Sequence, residues 1–326
     1  MQRQIQRREF LEMGAAAIGT AASSVFSKKG LAGDMKSPFR IAVINDEITQ
    51  DFGRACEIAS REFGMQWIEL RAMWNKNLVS LDAGEIAEAR RILEKYSLRV
   101  TDIASPLFKV DWPGAPKSKF SPKGPEFGAS FTFNQQDELL QRCIDLAKTF
   151  ATDRVRCFDF WRLDDSGPYR TAMNQKLFKA ADQAGKSGIL LLLENEADCN
   201  TATGAEAAAT LRAVNSSHLM LNWDPGNAAS RGEKAYPDGY QLLPKNRIGH
   251  CHCKDVTKKP HDEGYAWAAM GAGIIDWVGQ FEALKRDGYH SAVSLETHWR
   301  GAGSAEASTR QSWVGMKKEL QQAGAL

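Results

Sequence analysis

The chain has no Cys-x-x-Cys pair, no Gly-x-Gly-x-x-Gly turn after its first apolar run, and no phosphate-loop motif. These absences remove the common thiolate metal sites, the dinucleotide fingerprint and the P-loop nucleotide cradle from consideration. No basic run interleaved with aromatics occurs, and the formal net charge is only +2, so nucleic acid is not an expected partner. After the first thirty residues no apolar stretch reaches the length of an ordinary membrane span. The six cysteines (Cys56, Cys143, Cys157, Cys199, Cys251, Cys253) follow no disulfide framework and read as small buried apolar residues. Cys251 and Cys253 are too close on one strand to bridge each other well.

With 326 residues and 43% hydrophobic content, the chain can build one large core. The N-terminus is a separate matter. Arg7-Arg8-Glu9-Phe10-Leu11 precedes a mildly apolar, Ala/Gly-rich run from Met13 to Phe26. This resembles a twin-arginine export signal. The resemblance implies a periplasmic or otherwise exported protein, anchored to the membrane if uncleaved, with the twin-arginine translocase as a partner during export. We therefore divide the chain into a signal and linker over residues 1–33 and a single domain over 34–326.

From residue 39 a strand pattern and a helix pattern alternate. Apolar strand runs fall at 39–44, 67–70, 99–104, 154–160, 189–193, 219–223, 248–253 and 292–295. Helical spacing follows most of them, with one helix over 171–184 stopped by Gly185. Eight such units in about 290 residues predict a parallel α/β fold, a (β/α)8 TIM barrel, with a doubly wound open sheet as the alternative. The stretch 106–133, rich in Pro, Gly, Lys and aromatics, reads as a substrate-covering loop.

In a barrel, alternate strand residues face the interior, and chemistry sits where strands run out into the following loops. The last four strands then turn polar groups inward at one level: Glu194 and Glu196; Asn222 and Asp224; His250 and His252; Ser294, Glu296 and His298. Cys251 and Cys253 point the other way. Carboxylates converging with an imidazole repel one another without a cation. An oxygen-rich set with histidine suits one divalent Mn²⁺, Mg²⁺ or Co²⁺. Trp74, Trp112, Trp161 and Trp299 lie just beyond strands or in loops, where they either stack on a sugar ring or pack the rim.

The array Leu-Glu-Asn-Glu at 193–196, Asp-Pro-Gly-Asn at 224–227, His-Cys-His-Cys-Lys-Asp at 250–255, Gly-Ala-Gly-Ile-Ile-Asp-Trp at 271–277 and Leu-Glu-Thr at 295–297 resembles the sugar phosphate isomerase/epimerase superfamily, a xylose isomerase-like barrel group. That resemblance implies metal ligands at Glu194, Asp224, His252 and Glu296, with Glu194 and Glu296 also the acid–base pair on opposite substrate faces. It places Lys258 as a cationic substrate contact and His250 beside the metal histidine; Glu196 and His298 join them as substrate-contact candidates. Asn227 stands where the family commonly has a histidine, and an amide cannot donate a proton at neutral pH as an imidazolium does.

The expected activity is that of a metal-dependent sugar isomerase or epimerase acting through an enediolate on a free sugar or keto-sugar, in an exported protein that is free to form a homo-oligomer. A lyase acting on a keto-glycoside uses the same groups, and an exported sugar-binding barrel without catalysis is the non-enzymatic alternative. A DNA-repair nuclease with three zinc ions shares the barrel, but the six histidines here are too few and scattered for it.

Overall fold

A computed structural model describes residues 36–122, 124, 130–262 and 264–326. The export signal expected over 1–33 lies outside the described residues. Eight parallel strands form the barrel: β1 (Arg40–Val43), β2 (Trp67–Leu70), β3 (Arg99–Leu107), β4 (Arg154–Cys157), β5 (Leu190–Glu194), β6 (Leu219–Trp223), β7 (Ile248–Cys253) and β8 (Ala292–Leu295). From β2 to β8 each strand pairs in parallel with the next in sequence, and β8 pairs with β1. A parallel bridge between Ile44 and Glu69 brings β1 to β2 and nearly closes the ring. Sequential order with a closing contact is the signature of a barrel, and the doubly wound alternative falls away.

Side-chain parity divides the strands as expected. Leu191 and Leu193, Leu219 and Leu221, Cys251 and Cys253, and Val293 and Leu295 join the core shared with the helices. One break in alternation matters. Leu221 pairs with Ile248 but Asn222 pairs with His250, so Gly249 is a bulge residue. A Cβ at Gly249 would come within 2.8 Å of the Leu192 and Met220 side chains. The bulge lets Ile248 join the outer core while His250 and His252 still face in.

The helices explain themselves locally. Asp82 with Glu85, and Thr203 with Glu206, form capping boxes at the starts of Ala83–Lys95 and Gly204–Ala213. The helix expected over 171–184 instead runs Gly167–Lys186. Gly185 lies within it, where any Cβ would collide with the His218 ring, and Gly188 at φ +74° follows the helix end. Within the stretch 106–133, Pro106 and Leu107 complete β3. Two of its aromatics pack together: Trp112 meets Phe133 edge-on at 5.2 Å and also Phe160, beyond the stretch, at 4.8 Å. Among the described residues no helix is long and apolar enough to cross a membrane.

Candidate metal centre

Four residues from the ends of β5 to β8 converge. Ligand atoms of Glu194, Asp224, His252 and Glu296 all lie within 4.8 Å of one another, and all four residues are buried. His252 Nδ1 is the hub, 3.3 Å from Glu194 Oε1, 3.3 Å from Glu296 Oε2 and 3.8 Å from Asp224 Oδ2. Local motifs set these positions. Asn195 accepts a hydrogen bond from the Asp224 backbone N–H at 2.8 Å and donates to its carbonyl at 2.8 Å. Asp224 caps the helix Pro225–Ser230 by accepting from the Asn227 N–H at 2.8 Å.

Each glutamate is held through its other oxygen by an arginine inside the barrel. Arg156 Nη1 lies 3.2 Å from Glu194 Oε2, and Arg71 Nη1 lies 2.9 Å from Glu296 Oε1. Arg71 also reaches Asp46 and Glu47, at 2.9 and 2.7 Å. Behind the hub, Glu69 spans both histidines: Oε1 is 3.0 Å from His252 Nε2 and Oε2 is 3.1 Å from His250 Nε2. Asp102 lies 3.5 Å from His250 Nδ1.

These surroundings set the charge states. Burial pushes the Glu194 carboxyl up, but His252 and Arg156 outweigh it and hold the group down at about 2. Burial likewise opposes ionisation of Glu296, and Lys254 and His252 more than reverse it. Asp224 moves the other way: burial raises it despite Lys254. Burial pushes the His252 imidazole down, and the carboxylates of Glu69, Glu296 and Glu194 raise it well above its ordinary value. Asp102, raised by burial and by Glu69, reaches about 6.

The donor set fits a divalent cation. Three of the donors are carboxylate oxygens and one is an imidazole nitrogen, the set that hard and borderline divalent ions take. Glu194 Oε2 and Asp224 Oδ2 are buried with no hydrogen bond, although Arg156 and Lys254 stand at ion-pair distance. No cysteine takes part, since Cys251 and Cys253 sit in the outer core.

The remaining candidates spread around this cage. His250 is fully buried, with Glu69 and Asp102 facing its ring nitrogens. Asn227 is buried and donates from Nδ2 to Glu194 Oε1 at 3.3 Å. Glu196 is half-buried, 3.7 Å from Lys109 Nζ, which lies 5.0 Å from the Trp161 ring centre. His298 is 3.6 Å from Glu296 Oε1 and 5.1 Å from the Trp267 ring. Lys258 lies exposed on the hairpin Asp255–Lys258/Tyr265–Ala268 and, among the described residues, joins no ion pair.

The cation at the cage is Lys254, whose Nζ lies 2.8 Å from Asp224 Oδ2 and 2.7 Å from Glu296 Oε2. Sequence reasoning missed it together with Glu69, Arg71 and Arg156. Its signal was the continuing alternation His250, His252, Lys254. For the others it was a charged residue between apolar ones in Ile68-Glu69-Leu70-Arg71 and Val155-Arg156-Cys157. Contrary to the expectation from the sequence, these carboxylates do not need a metal to coexist, because Lys254, Arg71 and Arg156 already supply positive charge beside them.

No curated protein matches the chain. Several solved structures share its fold. The IolI protein with a bound zinc atom superposes with a TM-score of 0.66 at 16% identity, covering 88% of this chain and 98% of that one. The D-allulose 3-epimerase from Methylomonas sp., in complex with D-allulose, gives 0.63 at 17% over 88% and 98%. The probable 3-DHS dehydratase AsbF of Bacillus anthracis gives 0.65 at 17% over 86% and 98%. At these identities the likeness is one of fold. The xylose isomerase-like TIM barrel family matches residues 58–318, and the chain belongs to that family.

Proposed function

We propose that the protein is a divalent-metal-dependent sugar isomerase or epimerase that moves a proton next to a carbonyl, through an enediolate, on a free sugar or keto-sugar. The observation that carries this is the placement of Glu194 and Glu296. They approach His252 Nδ1 from two strands at the same 3.3 Å, each with its second oxygen on an arginine. Two carboxyl groups fixed around one point suit this exchange: one, ionised, removes a proton from one face of a substrate, and the other, protonated, supplies a proton on the opposite face. Glu194 and Glu296 take those roles. Both side chains are buried and so shielded from bulk water.

Glu194, Asp224, His252 and Glu296 would hold the metal, with manganese or magnesium suited to this oxygen-rich set and zinc seen in a fold neighbour. A divalent ion there supplies Lewis acidity, which stabilises negative charge developing on substrate oxygens. Asp224, anchored through its backbone to Asn195, serves as a ligand without a proton-transfer role. Asn227 positions Glu194 and offers a hydrogen bond in place of a proton. An epimerase complexed with D-allulose among the fold neighbours supports a sugar as the substrate class.

The test is solvent exchange. Metal-loaded protein incubated with free ketoses and 3-keto sugars in D₂O is expected to place deuterium on the carbon beside the carbonyl, read by NMR. Exchange should stop when the metal is chelated. Absence of exchange from every sugar, with metal bound, overturns the reading.

We also propose export by the twin-arginine route, on the strength of Arg7-Arg8 ahead of Phe10-Leu11. Changing both arginines to lysine is expected to leave folded protein in the cytoplasm, and unchanged export would refute the address.

A further inference from the structure

The carboxylate cage contains a cation of the chain's own. Lys254 extends the inward row of His250 and His252 by one step and is 1% exposed. Its ammonium sits 2.7 Å from Glu296 Oε2 and 2.8 Å from Asp224 Oδ2. Those two oxygens also face His252 Nδ1, at 3.3 and 3.8 Å.

The path of the lysine is built into the neighbouring turn. At Gly226 a Cβ would come within 2.5 Å of Lys254 Cγ, so Asp-Pro-Gly-Asn admits the lysine stem only because its third residue is glycine. The Trp267 ring lies 4.9 Å from Nζ. Arg71 and Arg156 hold the opposite oxygens of Glu296 and Glu194, so they leave the inner oxygens to Lys254 and His252. Arg71 is tied to three acids at once, whereas Lys254 carries its charge on a flexible four-carbon stem.

We propose that Lys254 is a tethered counter-ion that competes with the divalent metal for Asp224 and Glu296. The cage then exchanges one cation for another and never stands as a bare anionic pocket. Buried carboxylates without compensating charge are strongly unfavourable, and two cations on the same oxygens repel each other. The lysine therefore keeps the metal-free protein folded and lowers the apparent affinity of the metal it yields to. This inference rests on the metal reading given above.

The experiment uses the full chain, stripped with chelator, and Mn²⁺ alone as probe. Binding is measured by calorimetry for wild type and Lys254→Met. The expected result is a dissociation constant about tenfold or more lower in the variant. The metal-free variant should also melt below metal-free wild type, with the gap closing as Mn²⁺ is added. Equal or weaker Mn²⁺ binding by Lys254→Met, with wild type binding normally, overturns the competition and leaves the metal reading intact. Failure of both proteins to bind Mn²⁺ overturns the metal reading and the competition with it. If the variant does not accumulate, wild type labelled with ¹⁵N at lysine Nζ gives the answer. Adding Mg²⁺ should speed hydrogen exchange of the Lys254 ammonium, and an unchanged rate on saturation overturns the proposal.

Discussion

Glu69 Oε1 lies 3.0 Å from His252 Nε2, so the nitrogen that faces Glu194, Asp224 and Glu296 is Nδ1. The carboxylate accepts a hydrogen bond from Nε2–H, which fixes the tautomer and makes the opposite nitrogen a better ligand. Glu69→Gln removes the charge and keeps the shape. It is expected to weaken divalent-metal binding roughly 10- to 100-fold, measured by calorimetry on protein that retains its circular dichroism spectrum. Undiminished affinity would show that Glu69 serves only the fold.

The acid–base assignment has its own test. Glu194→Gln and Glu296→Gln each keep an oxygen for the cage but lose the base. Turnover is expected to fall about a hundredfold or more while metal content, read by elemental analysis, is largely retained. If both metal-loaded variants still exchange substrate protons at the wild-type rate, the glutamates are ligands alone.

A pH effect is expected at Glu319. Burial, with Asp255 and Asp276 nearby, pushes Glu319 from 4.5 up to about 7. A raised folded value means that the protonated acid is favoured by folding. That contribution is full below 4.5 and is lost as the pH rises through about 7. The melting temperature of wild type should therefore fall between about pH 5 and about pH 8, and Glu319→Gln should flatten that fall. Identical slopes for the two proteins would refute the assignment.

The hairpin that carries Lys258 and Trp267 depends on Asp255. Its carboxylate accepts from the backbone N–H groups of Val256, Gly271, Gly273 and Ile275, at 2.9, 3.2, 3.0 and 3.3 Å. This explains the joint presence of Lys-Asp at 254–255 and Gly-Ala-Gly-Ile-Ile at 271–275. A Cβ at Gly273 would fall on the Asp255 carboxylate. Gly273→Ala is expected to destabilise the protein by about 1–3 kcal/mol in denaturant titration, as overpacking does. A change within error would mean that the loop relaxes freely.

The site was half legible in the sequence. Glu194, Asp224, His252 and Glu296 stand at the ends of four apolar strands, where strand parity turned them inward together with Glu196, Asn222, His250, Ser294 and His298, and the family resemblance singled out the four. Glu69 and Arg156 were hidden because they lie in strands that read as core, and Arg71 because it follows one directly; a lone charge there is easily taken for an edge. Lys258 was named from the family resemblance, while Lys254, the next position of the inward row after His250 and His252, was not singled out. The bulge at Gly249 could not be foreseen, since alternation counted from Ile248 gives the same faces for His250 and His252 without it. Gly185 was misread for a related reason: a glycine that makes room for the His218 ring looks, in sequence, like one that ends a helix.

The most direct test of the metal centre is anomalous diffraction from crystals of the Mn²⁺-loaded protein. The expected result is one anomalous peak bounded by Glu194, Asp224, Glu296 and the Nδ1 side of His252. A peak coordinated elsewhere, or no peak at saturating Mn²⁺, would contradict it.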